Sequence, residues 1–249
     1  MKLFLTSLSS KSKKRNGETV SRKFLKSNSF FKNVKKSVKN YDTFVWVCNA
    51  PNGYPDFADN DAKAELVFKM IEKQLHHFEH YIVLDNRNKN DAQEILSHAD
   101  LIQVNGGKIP EQNKFLKDIK FLQNIKQNDD SVVICISAGT MNMCSSVFNF
   151  PEDDNEIDDK KWYTGLGLFN QIIIPHFDRK KGYAGPTGSF DIMKDYFLPY
   201  SENRTLLALT NGAYIAIDEG DVTLYGETYT ISNGQIKQVC KNKKHIKLQ

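Results

Sequence analysis

The stretch Ser131-Val-Val-Ile-Cys-Ile-Ser-Ala-Gly-Thr140 constrains this chain more than any other. Val132, Val133, Ile134 and Ile136 are β-branched and too continuously apolar for a strand with one wet face, so they predict a central strand of a parallel sheet covered on both sides. The run stops at Ser137-Ala138-Gly139, small residues that permit a sharp strand-to-helix turn. Such a turn strains the Ser137 backbone and presents its hydroxyl at the end of the sheet, while the following N–H groups face the same point from a helix N-terminus. That is the geometry of a nucleophile elbow. The usual pattern, Gly-x-Ser-x-Gly, has Cys135 here in place of its first glycine, which predicts a crowded turn. A helix N-cap is the simpler role open to Ser137.

With 249 residues, 40% of them hydrophobic and 26% charged, the chain has the material for one α/β domain with a sizeable core. No apolar run approaches the ~20 residues of a membrane span, and residues 1–8 are too short for a secretory core, which points to the cytoplasm. Cys48, Cys135, Cys144 and Cys240 form no Cys-x-x-Cys pair and read as reduced thiols, with neither disulfide, zinc nor any other cofactor implied. The charge is uneven, because residues 11–39 carry eleven Lys or Arg against the single acid Glu18. We read 11–40 as a basic helical insertion, solvated on one face and docked through Phe24, Phe30, Phe31, Val34 and Val38. It lacks the stacking motifs of an RNA-binding module, so nucleic acid is disfavoured.

Strand and helix then alternate. Thr43–Asn49 reads as a buried strand and residues 59–80 as an amphipathic helix. His76, His77 and His80 at its end have no carboxylate or cysteine partner placed to complete a metal set, and read as surface groups offsetting the helix dipole, not as metal ligands. Strands at Tyr81–Asp85 and Leu101–Val104, with helices at 91–99 and 111–127, complete a doubly wound pattern that places ligands at the carboxyl ends of the strands. Two clusters fall there: Ser137, and Asn105-Gly106-Gly107-Lys108, whose paired glycines let backbone N–H groups approach an oxyanion or simply make a tight loop.

Beyond the elbow, Glu152 lies in an acidic loop close behind the serine. The strand Gln171–Phe177 carries His176 near its end, where a neutral imidazole could reach a serine hydroxyl. Arg179, Lys180 and Lys181 begin a basic loop able to neutralise a substrate carboxylate. A helix at 190–197 and two strands joined at Asn211-Gly212 follow. Three short antiparallel strands, with a hairpin turn at Asn233-Gly234, close the fold, and residues 241–249 read as a frayed tail.

Four ordered motifs, Ala99-Asp-Leu-Ile-Gln-Val-Asn-Gly-Gly-Lys108, Ile136-Ser-Ala-Gly-Thr-Met-Asn142, Gly165-Leu-Gly-Leu168 with Ile174-Pro-His-Phe177, and Leu207-Ala-Leu-Thr-Asn-Gly-Ala-Tyr-Ile-Ala-Ile217, give the chain a resemblance. It resembles the aspartyl dipeptidase (peptidase E) and cyanophycinase family of serine peptidases, most of all its bacterial peptidase-E-like members. The resemblance implies a three-layer α/β/α fold with a mostly parallel, flavodoxin-like sheet of the class I glutamine-amidotransferase type. It also implies cleavage of small peptides, of dipeptidase or isopeptidase type, through an acyl-enzyme. Carried over by motif, Ser137 is the nucleophile, His176 the general base, and Ala138 with Gly106 or Gly107 the oxyanion hole. Glu152 is the third catalytic member, with Asn211 the alternative. Asn105, Lys108 and Arg179 are candidate substrate contacts, and a monomer or homodimer is expected. Asn211 cannot stabilise an imidazolium as a carboxylate would, so a catalytically weak or binding-only member of the fold is the alternative. Glutamine amidotransfer is disfavoured by serine, in place of cysteine, at the elbow.

Overall fold

A computed structural model describes residues 1–152, 154–156, 160–185 and 188–248. Strand β1 (Lys2–Thr6) is followed by a hairpin of β2 (Ser10–Arg15) and β3 (Glu18–Phe24), and by α1 (Phe30–Ser37). The predicted alternation then runs β4 (Thr43–Val47), α2 (Phe57–Gln74), β5 (His80–Leu84), α3 (Ala92–Ser97), β6 (Leu101–Val104), α4 (Ile109–Asp118), α5 (Phe121–Ile125), β7 (Val132–Ile136) and α6 (Ala138–Asn142). The second half is mostly strand. It comprises β8 (Ser146–Phe148), β9 (Trp162–Thr164), β10 (Ile172–Asp178), β11 (Gly182–Tyr183), the short α7 (Leu198–Tyr200), β12 (Thr205–Thr210), β13 (Tyr214–Asp218), β14 (Asp221–Tyr225), β15 (Thr228–Ser232), β16 (Gln235–Cys240) and β17 (His245–Leu248).

Among the described residues the largest sheet has the order β17-β14-β13-β1-β7-β6-β4-β5. The five strands from β1 to β5 are mutually parallel, and β13, β14 and β17 extend the sheet antiparallel. Every residue of β4 and β6 is buried, as the apolar runs require of strands covered on both faces. A second sheet, β11-β10-β12-β15-β16, is parallel only between β10 and β12. Strand patterning does not reveal it, because alternation specifies which side chains are buried and not which strand lies alongside. A separate apolar cluster joins the two sheets, with Ala138 and Met141 of α6 packed among Ile174, Phe177 and Leu206.

Two sequence expectations change. The basic insertion is not helical throughout, since residues 10–24 form a hairpin turning at Asn16-Gly17, both at positive φ, a pairing that suits the twist of two strands. Its docking is nevertheless apolar as read. Phe24, Phe30, Val34 and Val38 are buried, Phe31 stacks on Phe24 at 5.1 Å, and Gln74 of α2 caps the hairpin from the side through the Phe24 N–H and the Arg22 carbonyl. The tail is not frayed over 245–248, because Leu248 and Ile246 of β17 pair opposite Val222 and Leu224 of β14 and extend the sheet; Gln249 lies outside the described residues. His76 and His77 are exposed, the first stacked on Tyr41 and the second beside Glu72, and no group of three metal-ligating side chains gathers among the described residues. Nor is any helix among them long and apolar enough to cross a membrane.

Phe30 is 1% exposed and packs on Phe4 and Tyr214 at 6.1 and 5.1 Å, so it fastens the basic segment to the central sheet. Phe30→Ala therefore destabilises the whole protein by about 3–5 kcal/mol in urea unfolding. A loss well under ~1 kcal/mol would mean that the segment is only loosely attached.

Candidate active site

Where β7 ends, Ser137 takes φ 52° and ψ −119°, a strained conformation for a residue with a side chain. The strain is held by bonds to β1. The Ser137 N–H donates to the Thr6 carbonyl at 3.0 Å, the Thr6 N–H donates to Thr140 Oγ1 at 2.9 Å, and that hydroxyl lies 2.8 Å from the Cys135 carbonyl. Gly139 allows the close approach, because a Cβ there would stand 2.7 Å from the Asn105 carbonyl oxygen. The Cys135 side chain is fully buried in the sheet, where burial pushes its thiol pKa up. The Ser137 side chain makes no cap hydrogen bond, so the simple N-cap role does not describe it.

The glycine loop after β6 lies directly against this turn. A Cβ on Gly106 would be 3.0 Å from Ser137 Cβ, and one on Gly107, at φ 138°, would be 2.2 Å from the Asn49 carbonyl oxygen. Asn105 fixes the loop: its amide donates to the Val47 carbonyl at 2.7 Å and its Oδ1 accepts from Gln103 at 2.9 Å. These bonds occupy Asn105, which is not among the residues lining the cavity described below. The Gly106 and Gly107 N–H groups have no acceptor among the described residues. That of Ala138, in the first turn of α6, has none within its own helix. Gly106 and Ala138 lie beside Ser137, and Gly107 shares a cavity wall with it, the region where a developing oxyanion needs donors.

His176 comes from the other sheet. It sits at φ 55° where the register of β10 on β12 shifts between Ile174 and Phe177, an irregularity of the kind that re-aims a side chain. Its N–H donates to Ser7 Oγ at 3.2 Å, and Ser7, just past β1, donates to the Leu209 carbonyl at 3.0 Å. The imidazole Nδ1 lies 2.7 Å from Asn211 Oδ1, an acceptor that fixes the proton on Nδ1 and leaves the Nε2 lone pair available. Burial lowers the His176 pKa, opposed by the Asn211 bond and the Glu152 charge. The resting ring is therefore neutral, as a general base must be.

Glu152 is not the partner of His176. Its carboxylate accepts from the Tyr183 hydroxyl, and the Tyr183 ring stands edge-on to the imidazole with centroids 5.9 Å apart. Closeness to α6 along the chain suggests Glu152, but the second sheet instead brings the β12–β13 turn, with Asn211, under His176. Arg179 is also displaced, its guanidinium lying 5.9 Å over the Tyr229 ring and outside the cavity wall. Asp153, Asp158 and Asp159 of the acidic loop, and Pro186 and Thr187 of the basic one, lie outside the described residues. Sequence reasoning missed Ser7, Thr140 and Tyr183. Only the hydroxyl pair Thr6-Ser7 at the end of the first strand hinted at the first of them.

Ser137, His176, Gly107, Lys108, Glu152 and Tyr183 share the wall of one cavity of about 600 Å³. No hydrogen bond joins the Ser137 hydroxyl to the imidazole, a contact that in hydrolytic sites often tightens only around substrate. Serine, neutral base, free amides and cavity together suit acyl transfer.

Gly107→Ala forces a side chain into the Asn49 carbonyl and lowers the rate of Ser137 acylation by about 10²–10³, read as labelling by a fluorophosphonate. An alanine variant that labels like wild type would remove the loop from the oxyanion hole. Because burial lowers the His176 pKa, the base stays neutral into mild acid. The labelling rate should fall with a midpoint below the ordinary imidazole value of about 6.5; a midpoint above it would contradict the buried setting.

Comparisons with known proteins bear on the fold and the family. A crystal structure of a peptidase from an acI-B1 Actinobacterium is similar at a TM-score of 0.67 and 16% identity, over 99% of this chain and 96% of that one. A putative peptidase E protein from Listeria monocytogenes EGD-e is similar at a TM-score of 0.54 and 16% identity, over 96% and 98%. At such identities they show the fold alone. No curated protein matches. The model of peptidase family S51 matches residues 7–225, a span holding every candidate catalytic residue, and the chain belongs to that family of serine peptidases.

Proposed function

We propose that this chain hydrolyses short peptides through an acyl-enzyme on Ser137. The observation that carries the reading is one cavity shared by a strained serine, a partly buried imidazole and Gly107, whose N–H has no acceptor among the described residues. His176 Nε2 takes the hydroxyl proton as Oγ attacks the scissile carbonyl. Ala138 with Gly106 or Gly107 donates to the oxyanion. The imidazolium then returns the proton to the leaving amine, and water, activated by the same ring, releases the acyl group. Asn211 positions the ring for both steps but adds no charge to stabilise the imidazolium. In trypsin-like enzymes the equivalent loss costs about four orders of magnitude in turnover. The same observation favours a second reading, a member of the fold that binds peptides and turns them over hardly at all.

A cavity of this size suits a di- or tripeptide. Glu152 and Glu156 in one part of its wall, with Lys108 also facing the space, match a ligand that carries a free amino group and a carboxylate. With Arg179 outside, an N-terminal aspartate finds little counter-charge, so the reading favours neutral or basic amino-terminal residues over acidic ones.

Two measurements test this. Fluorophosphonate labels the wild type and not Ser137→Ala; a folded wild type that stays unlabelled sinks the enzyme reading and leaves the binding one. Asn211→Asp supplies the missing charge, raises peptide turnover by at least about tenfold and moves the acid limb of the pH profile upward, because a carboxylate favours the charged imidazole. A variant with unchanged turnover and profile would show that Asn211 does not act through His176.

A further inference from the structure

Residues 26–29 take no part in the chemistry above, yet together with 242–245 they line a second cavity of about 490 Å³. Lys26, Lys243, Lys244 and His245 stand in its wall, with serine hydroxyls and asparagine amides between them and no carboxylate among the described lining residues. The three lysines make no ion pair among the described residues, whereas nearby Lys247 pairs with Asp221 at 2.9 Å. Like charges gathered in a concavity repel one another and focus a positive field into it, a cost that a bound anion removes.

The wall is built in advance. Asn28 is held at φ 51° by three bonds: its amide donates to the Gly212 carbonyl at 2.8 Å, its Oδ1 accepts from the Lys243 N–H at 2.8 Å, and its carbonyl accepts from the Tyr214 hydroxyl at 3.0 Å. Tyr225 stacks on Tyr214 at 4.7 Å and beneath His245 at 5.3 Å, giving one side a flat aromatic face. A ligand entering such a pocket has little protein to order.

We propose that this cavity binds a small phosphate-bearing anion, and that its occupancy is felt at the active site through Asn28. Three ammonium groups beside hydroxyl and amide donors match a compact dianion better than a single carboxylate, which would leave charge uncompensated. Free phosphate and a nucleotide present the same chemistry, and the ring face of His245 distinguishes them. The link is one of contact. The carbonyl that Asn28 holds belongs to Gly212, next to the Asn211 that orients His176. Ser27 Oγ lies 2.6 Å from where a Cβ on Gly212 would be, so the pocket wall packs directly against the turn.

The test is calorimetric titration of the full chain with inorganic phosphate and, separately, ATP. Both bind, ATP more tightly if a base uses the ring face, and affinity falls several-fold as salt rises from about 0.01 to 0.15 M. The double variant Lys26→Gln/Lys244→Gln, altered only at exposed side chains, weakens binding by about tenfold or more, that is by about 1.4 kcal/mol. No heat beyond a chloride control, or equal affinity in the double variant, overturns the site. These readouts do not depend on catalysis, so they stand or fall apart from the peptidase reading. The link is read as the rate of Ser137 labelling, which saturating phosphate shifts at least about twofold in the wild type and not in the double variant. An equal shift in both, as from phosphate entering the active site itself, overturns the link, and so does no shift in either.

Discussion

The site depends on a junction between two sheets, closed by one hydroxyl. Ser7, completely buried just past β1, accepts from the His176 N–H of β10 and donates to the Leu209 carbonyl of β12. The same end of β1 accepts from the Ser137 N–H through Thr6. One short segment of backbone therefore sets the elbow of the first sheet against the imidazole of the second. Neither sheet alone carries both Ser137 and His176. Their relative position is a matter of a few buried hydrogen bonds and of the apolar cluster of Ala138, Met141, Ile174 and Phe177 beneath them.

Strain is concentrated at the same place. Ser137 and His176 are both non-glycine residues at positive φ, conformations that cost on the order of 1–3 kcal/mol each and persist only where packing overrules them. Around Ser137 the overruling groups are Thr140, Thr6 and the glycine at 139. Around His176 they are Ser7 and the irregular pairing of β10 with β12. Ser137 and His176 are thus held by the core rather than by flexible loops, as a site needs if its geometry is to survive ligand exchange.

The electrostatics are less usual. A partly buried imidazole faces a neutral amide, while Glu152 is held by Tyr183. That carboxylate still favours a charged ring from across the cavity, without touching it. The arrangement keeps the base neutral at rest and gives little help once it is protonated, which bears on rate more than on the identity of the reaction. The basic segment, meanwhile, is part of the architecture, with Phe30 in the core and Asn28 gripping the turn that carries Asn211.

By itself the sequence determined the parallel strands β4, β5, β6 and β7, the sharp turn at Ser137, and the places of Gly106-Gly107 and His176 at strand ends. Runs of β-branched residues, small residues at a turn and a lone histidine at a strand end are local signals, written in consecutive positions. Only the tertiary structure decided that His176 belongs to a separate sheet, that Asn211 and not Glu152 meets its ring, that Arg179 stands off the cavity, and that residues 10–24 pair as a hairpin. Those outcomes turn on which strand lies beside which. A pattern of buried and exposed side chains leaves that choice open, because many pairings bury the same residues.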